Sequence, residues 1–151
     1  NNDPYYAKYT DTFSQSLNAD NNVILAFLSR SYHESVKNEN AYLITQIGES
    51  SSIDLTKELL FYSRPKGTYK GESTKKVLLD FYLVNTQISH DGNKVRATID
   101  GKEFLIDEWS PYYIEGLPKG EISIKLELID KYGKIINTAF NPSERKVILT
   151  D

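Results

Sequence analysis

The stretch Ser31-Tyr32-His33-Glu34-Ser35 sets an imidazole beside a carboxylate between two hydroxyls. From such groups a hydrolase assembles a nucleophile, a base and an orienting acid. In an extended chain residues i and i+2 share a face, so Ser31, His33 and Ser35 would line up while Glu34 points away. At the usual rise of a strand, a serine and a histidine two positions apart stand about 6–7 Å apart, too far for direct proton transfer. No nucleophile turn or oxyanion loop accompanies them. A hydrolase using His33 is therefore the outside reading, and a binding loop that includes Tyr32 and His33 comes next. The favoured reading is a strand that ends here and enters a hairpin loop.

Two other groups could bind. "YSRPKG", Tyr62 to Gly67, clusters Arg64 and Lys66 around a proline, and two cations with a serine hydroxyl could receive a phosphate or a carboxylate. The plainer alternative, which we favour, is a bent edge strand in which Pro65 blocks pairing and Lys66 discourages aggregation. "EWSPYY" gathers Trp109, Tyr112 and Tyr113, which could make a flat platform for a sugar ring or an anchor for a protein partner. Here the favoured reading is that Trp109 and one tyrosine plug the end of a sandwich. The two histidines, His33 and His90, cannot make a three-histidine metal site, and Asp91-Gly92-Asn93 lacks the ligand count of a calcium loop. No metal or cofactor is expected.

The elements that must carry these groups read as strands. In "GLPKGEISIKLELIDKYGK", Ile122, Ile124, Leu126 and Leu128 alternate with Ser123, Lys125 and Glu127, a period of two with one apolar face. Leu126, Leu128 and Phe81 should be core, and Lys125 and Glu127 should face solvent. "KKVLLDFYLVN" puts Val77, Leu79, Phe81 and Leu83 on one face. Leu78, Tyr82 and Val84 make the other face apolar too, so a partner or neighbouring domain should cover it. Asp100-Gly101 is a two-residue hairpin signal. It joins "KVRATID", with Val95, Ala97 and Ile99 inward, to "KEFLID", which returns with Phe104 and Ile106. With "ELLFYS" at 58–63 and "RKVILT" at 145–150, residues from about 53 onward give the regular short strands of an Ig-like antiparallel sandwich.

Residues 1–50 look like a partial copy of the second half of that domain. "NNDPYYAKY" parallels "DGKEFLIDEW" as a turn and an aromatic strand. "FSQSLNADNNVILAFLSRS" parallels "PYYIEGLPKGEISIKLELID", and "YHESVKNENAYLITQI" parallels "YGKIINTAFNPSERKVIL". Ile24, Leu28, Tyr32 and Val36 recur every four residues and would also suit a helix, but Val23-Ile24-Leu25, Phe27 and the parallel with 121–130 favour a strand. The expected organisation is all-β: tandem Ig-like sandwich units, with 1–50 the C-terminal part of a first unit and 51–151 a second. On this reading Val23, Leu25 and Phe27 need cover from upstream strands, the second domain or another protein.

The 151 residues carry no cysteine and a net charge of −3. A disulfide framework is excluded, and nucleic acid is an unpromising partner because phosphate binding needs a dense basic surface. No apolar run approaches the roughly 18 residues that cross a bilayer as a helix. The chain starts at Asn1 and holds no methionine, so we expect a processed product or a fragment, with any targeting segment upstream.

Five phrases, "AFLSRSYHESVK", "LFYSRPKGTYKG", "LLDFYLVN", "KVRATIDGKEF" and "YYIEGLPKGE", together resemble an uncharacterised family of bacterial envelope proteins. The family is common in Bacteroidetes-type bacteria, and some members are catalogued as phosphopeptide-binding protein. The resemblance implies a secretion signal, often of lipoprotein type, and a strand with paired histidines, both ahead of Asn1. Where the family would bring a further histidine this chain has Lys8, which counts against a metal site there. The expectation is a non-enzymatic structural or protein-binding module of the cell envelope, in the periplasm or on the outer membrane. It would be lipid-anchored upstream of Asn1, with another envelope protein as partner. A carbohydrate- or anion-binding module is the alternative.

Overall fold

The period-two segments become strands, and their apolar faces meet in a main core and a smaller second one. The computed structural model describes residues 6–17, 21–48 and 53–151. Its strands are β1 (Asn22–Phe27), β2 (Tyr42–Ile47), β3 (Leu59–Arg64), β4 (Thr68–Lys70), β5 (Lys76–Val84), β6 (Lys94–Ile99), β7 (Lys102–Ile106), β8 (Tyr112–Glu115), β9 (Gly120–Ile129) and β10 (Ser143–Thr150). A single 3₁₀ turn at Gly71–Thr74 is the one helical element among the described residues. The fold is all-β, as the alternation implied.

A five-stranded sheet in the order β4-β10-β9-β6-β7 packs on a three-stranded sheet in the order β3-β5-β8. Leu60, Tyr62, Val77, Leu79, Phe81 and Leu83 from the smaller sheet meet Val95, Ala97, Ile122, Ile124, Leu126, Leu128 and Val147 from the larger. All pairings within these sheets are antiparallel except β10 with β4. The chain leaves β3 at Arg64, where Pro65 offers no N–H to continue the ladder, and joins the other sheet as β4. Asp100 and Gly101 both take positive φ, the geometry of the tight turn their sequence signalled.

Two face assignments need correction. Phe104 is 50% exposed, because β7 is the edge of its sheet and only Ile106 reaches the core. Glu127 does point away from the core but is buried, since Arg96 Nε at 2.7 Å and Lys125 Nζ at 3.3 Å close over it. The alternation gave its side of the sheet correctly but not the cation cover.

β1 and β2 form a separate two-stranded sheet that lies on the outer face of β3-β5. Leu25, Phe27, Tyr42 and Ile44 pack there on Leu59, Tyr82 and Val84, so Tyr82 and Val84 receive the cover that their sequence demanded. Residues 23–36 hold no helix. The expected aromatic strand near the N terminus is absent from residues 6–9, and the rest of that segment lies outside the described residues, as does the expected boundary at 50/51.

Candidate functional site

The β1–β2 loop brings together most of the residues that suggested chemistry. Ser29 and Ser35 bridge across the loop, and a turn follows within it. The Arg30 N–H donates to the Glu34 carbonyl at 2.9 Å, and the His33 N–H donates to the Arg30 carbonyl at 2.9 Å. His33 closes this turn with φ of 72°, a conformation that histidine adopts more readily than most side chains. "SYHES" therefore lies in the hairpin loop, as expected, but it does not end the strand, because β1 has already stopped at Phe27.

The turn points its two serines in different directions. Ser31 is exposed, whereas Ser35 is buried and faces β5. There it meets Asp80, fully buried, which accepts the Ser35 hydroxyl at 3.1 Å and the Ser35 N–H at 3.4 Å on Oδ1. The Lys37 ammonium donates to the same oxygen and, at 2.6 Å, to Ser35 Oγ. From the other side the Ser63 hydroxyl reaches Asp80 Oδ2 at 2.5 Å. A carboxylate buried this deeply is tolerated because a cation and two hydroxyls saturate it. Burial pulls the Lys37 ammonium below its ordinary pKa, and the Asp80 charge opposes that pull.

A serine hydroxyl within reach of a lysine is a nucleophile–base geometry in outline. Here the lysine is spent on a buried carboxylate and the hydroxyl is a donor to the same group. The arrangement fastens the hairpin to the sandwich. Sequence reasoning missed it: neither Asp80 nor Lys37 stood out in the sequence, since they are 43 residues apart and meet only in the fold.

Aromatic contacts extend the joint. Phe27 stacks on Tyr82 at 4.9 Å between centroids, and Tyr42 meets the same ring edge-on at 5.6 Å. The Tyr82 hydroxyl donates to the carbonyls of Val36 and Asn38, both at 3.0 Å. Trp109 packs edge-on to Tyr82 at 5.0 Å, and its indole N–H donates to the Phe81 carbonyl at 3.0 Å. Tyr112 packs on the core and donates to the Glu108 carbonyl at 2.8 Å. Trp109 and one tyrosine thus plug the sandwich, and Tyr113 points the other way, partly exposed.

Around the turn lies a mixed surface. Tyr113 donates to Glu34 Oε1 at 3.0 Å, and Lys76 Nζ sits 4.5 Å from the centre of its ring. Tyr32 stands half-exposed beside Arg30. Burial and then the nearby charges of Arg64 and Lys66 hold the His33 imidazole below its usual pKa. Arg64 and Arg145 in turn add to burial in lowering Lys66. Arg145 belongs to this basic edge and was not singled out in the sequence. It lies 4.5 Å from the centre of the Tyr62 ring and donates to the Ser63 carbonyl at 3.1 Å.

Elsewhere, a shallow cleft of about 600 Å³ opens beside the 3₁₀ turn, lined by Glu72, Thr74, Lys75, Glu115, Leu117 and Lys119 with no aromatic ring on its walls. Among the described residues no three His, Cys, Asp or Glu side chains gather to hold a metal ion. No helix among them is long and apolar enough to cross a membrane.

No family model matches this chain, and no curated protein does. Among solved structures it is similar to the fibronectin(III)-like modules of Clostridium thermocellum CbhA, at 13% identity and a TM-score of 0.45, over 61% of this chain and 97% of that one.

Proposed function

We propose that the chain is a non-enzymatic, protein-binding section of a bacterial cell-envelope protein and works as a subunit of a larger assembly. The carrying observation is where its reactive side chains go: Ser35, Lys37, Ser63 and Asp80 join two β elements. What remains at the surface is the mixed aromatic and charged rim of Tyr32, Glu34, Lys76 and Tyr113. Partly exposed tyrosines held in place by hydrogen bonds and a cation are good anchors for a protein partner, since they present large rigid area at low entropic cost. The envelope setting and an upstream lipid anchor follow from the sequence resemblance to the Bacteroidetes-type family.

The test is site-specific photocrosslinking of the full-length protein in native membranes. A crosslinker at Tyr32 should capture one discrete partner, and one at the exposed Tyr132, on the corresponding turn of the β9–β10 hairpin, should not. Equal capture from both positions sinks the proposal. Hydrolysis that disappears in His33→Ala would sink its non-enzymatic part.

One observation favours a second reading, an anion-binding rim. His33, Arg64, Lys66 and Arg145 act on one another electrostatically, and a bound phosphate would relieve that repulsion. Titration with inorganic phosphate should then raise the His33 pKa towards its ordinary value. An unmoved His33 resonance removes this reading.

A further inference from the structure

The β1–β2 hairpin repeats β9–β10 residue for residue at a spacing of 100. Ala26 pairs with Leu43 as Leu126 pairs with Ser143, Ile24 with Thr45 as Ile124 with Arg145, and Asn22 with Ile47 as Ile122 with Val147. The turns match as well. Arg30 N–H to the Glu34 carbonyl is repeated by Asp130 and Lys134, His33 to Arg30 by Gly133 and Asp130, and Val36 to Leu28 by Ile136 and Leu128. Even the isolated bridge recurs, Ser29–Ser35 and Ile129–Ile135.

This equivalence identifies the core face of the hairpin. Ile122, Ile124, Leu126 and Leu128 are buried against the β3-β5-β8 sheet, so Ile24, Ala26 and Leu28 occupy core positions, with Leu43 and Ile47 beside them on β2. In this chain that face is open: Leu43 is 67% exposed, Leu28 is 65%, and Ile47 is 49%. The face already covered, which carries Leu25 and Phe27, corresponds to the outward Lys125 and Glu127. Of Val23, Leu25 and Phe27, which the sequence expects to need cover, Leu25 and Phe27 receive it from the second domain, one of the three expected sources; the face left open is the alternate set.

Residues 6–17 tell the same story. In the complete sandwich Trp109 and Leu117 pack on buried residues, and β8 pairs with β5. Their counterparts Tyr9 and Leu17 are exposed, and residues 12–15, equivalent to β8, form no strand. A strand needs a neighbour to pair with, and the equivalent of β5 would precede them in the chain.

We infer that the open face of the β1–β2 hairpin, with residues 6–17, is the acceptor for strands equivalent to β3 and β5, beside which residues 12–15 add the equivalent of β8. Those strands are supplied by the same polypeptide N-terminal to residue 1, and together they complete a second sandwich. The order of the repeat selects this occupant, since the strands that cover β9 and β10 precede them in the chain. Sheet-on-sheet packing then buries apolar residues that otherwise leave a patch of the kind found at interfaces.

The experiment compares the 151-residue chain with the natural polypeptide isolated from its source. The intact mass of the natural polypeptide should exceed that of the 151 residues at the N-terminal side. Leu43→Glu should leave the melting temperature of the 151-residue chain unchanged and lower that of the longer polypeptide by several degrees. Leu105→Glu, on the exposed face of β7, serves as a control that is silent in both. If the longer variant fails to fold, hydrogen exchange on the two wild-type forms decides, because amides 12–15 should gain protection only in the longer one. The inference is overturned if the natural chain begins at Asn1 or if amides 12–15 exchange alike in both forms. It is also overturned if the 151-residue chain is a dimer that Leu43→Glu dissociates, which would make a second copy the occupant.

Discussion

At the scale of single residues, Asp80 is the position on which the joint between hairpin and sandwich depends. Removing the cation from a buried pair leaves a charge without compensation, so Lys37→Met should cost about 3–5 kcal/mol in urea unfolding. Adding Asp80→Asn should recover part of that loss, because the two side chains interact and their effects are not additive. A Lys37→Met variant as stable as wild type would mean that the hydroxyls alone satisfy the carboxylate. Glu127 makes a second, pH-dependent case. Arg96 foremost, with Lys125 helping, holds its carboxyl below the ordinary glutamate value of 4.5. Its folded pKa lies under its unfolded one, so its contribution is present above about pH 4.5 and fades as the pH falls through the folded value. Glu127→Gln should therefore be less stable than wild type at neutral pH, and the gap should close in acid. A gap that is constant with pH would remove the ion pairs as its cause. Neither site was legible in the sequence. Alternation states which side of a sheet a residue faces, but Asp80 meets Lys37 and Glu127 meets Arg96 only after distant strands have paired.

At the scale of elements, the same sequence signals worked well. Ile122 to Leu128 alternate and are buried in alternation, and Val95, Ala97 and Ile99 do the same. The turn at Asp100-Gly101 lies where its chemistry put it. Period-two patterning succeeds there because each strand has one neighbour sheet to face. It fails for Phe104, since an edge strand can leave an apolar side chain in solvent, and for β1, which is apolar on both faces. The repeat turns that ambiguity into a measurement. Leu28 and Leu128 are the same residue in the same place of the same hairpin, one open and one fully buried. Leu128→Ala should cost about 2–5 kcal/mol, and Leu28→Ala less than about 0.5 kcal/mol in the 151-residue chain. Matching costs would show that the two faces are equally packed. The turn offers a companion test. Gly133 takes φ of 82° with open space where a Cβ would stand, so Gly133→Ala should cost about 1–2 kcal/mol through backbone strain alone.

At the scale of the whole molecule, hairpin and sandwich need each other. A two-stranded sheet is marginal by itself in water, and this one draws its order from Leu59, Tyr82 and Val84 beneath it. Those three side chains are almost completely buried, with the hairpin on them beside Leu55, Phe61, Trp109, Ala139 and Phe140. Contacts that join two elements also set their relative position, and that matters for a module whose exposed tyrosines Tyr32 and Tyr113 come from opposite sides of the joint. Limited proteolysis should read this coupling directly. Residues 6–17 are exposed throughout and belong to no strand, so a protease should remove them first. Cleavage should then stall at β1, because strands 22–27 and 42–47 are hydrogen-bonded to each other and packed on β3-β5. In Lys37→Met combined with Phe27→Ala the buried carboxylate loses its cation and Tyr82 loses its stacked ring. Cuts should then run through the hairpin while β3–β10 survives as a resistant fragment, because the core between its two sheets is made without the hairpin. Equal cleavage of the hairpin in wild type and variant would show that the joint contributes nothing to its order. Loss of the whole chain at one rate would show that hairpin and sandwich unfold as one unit.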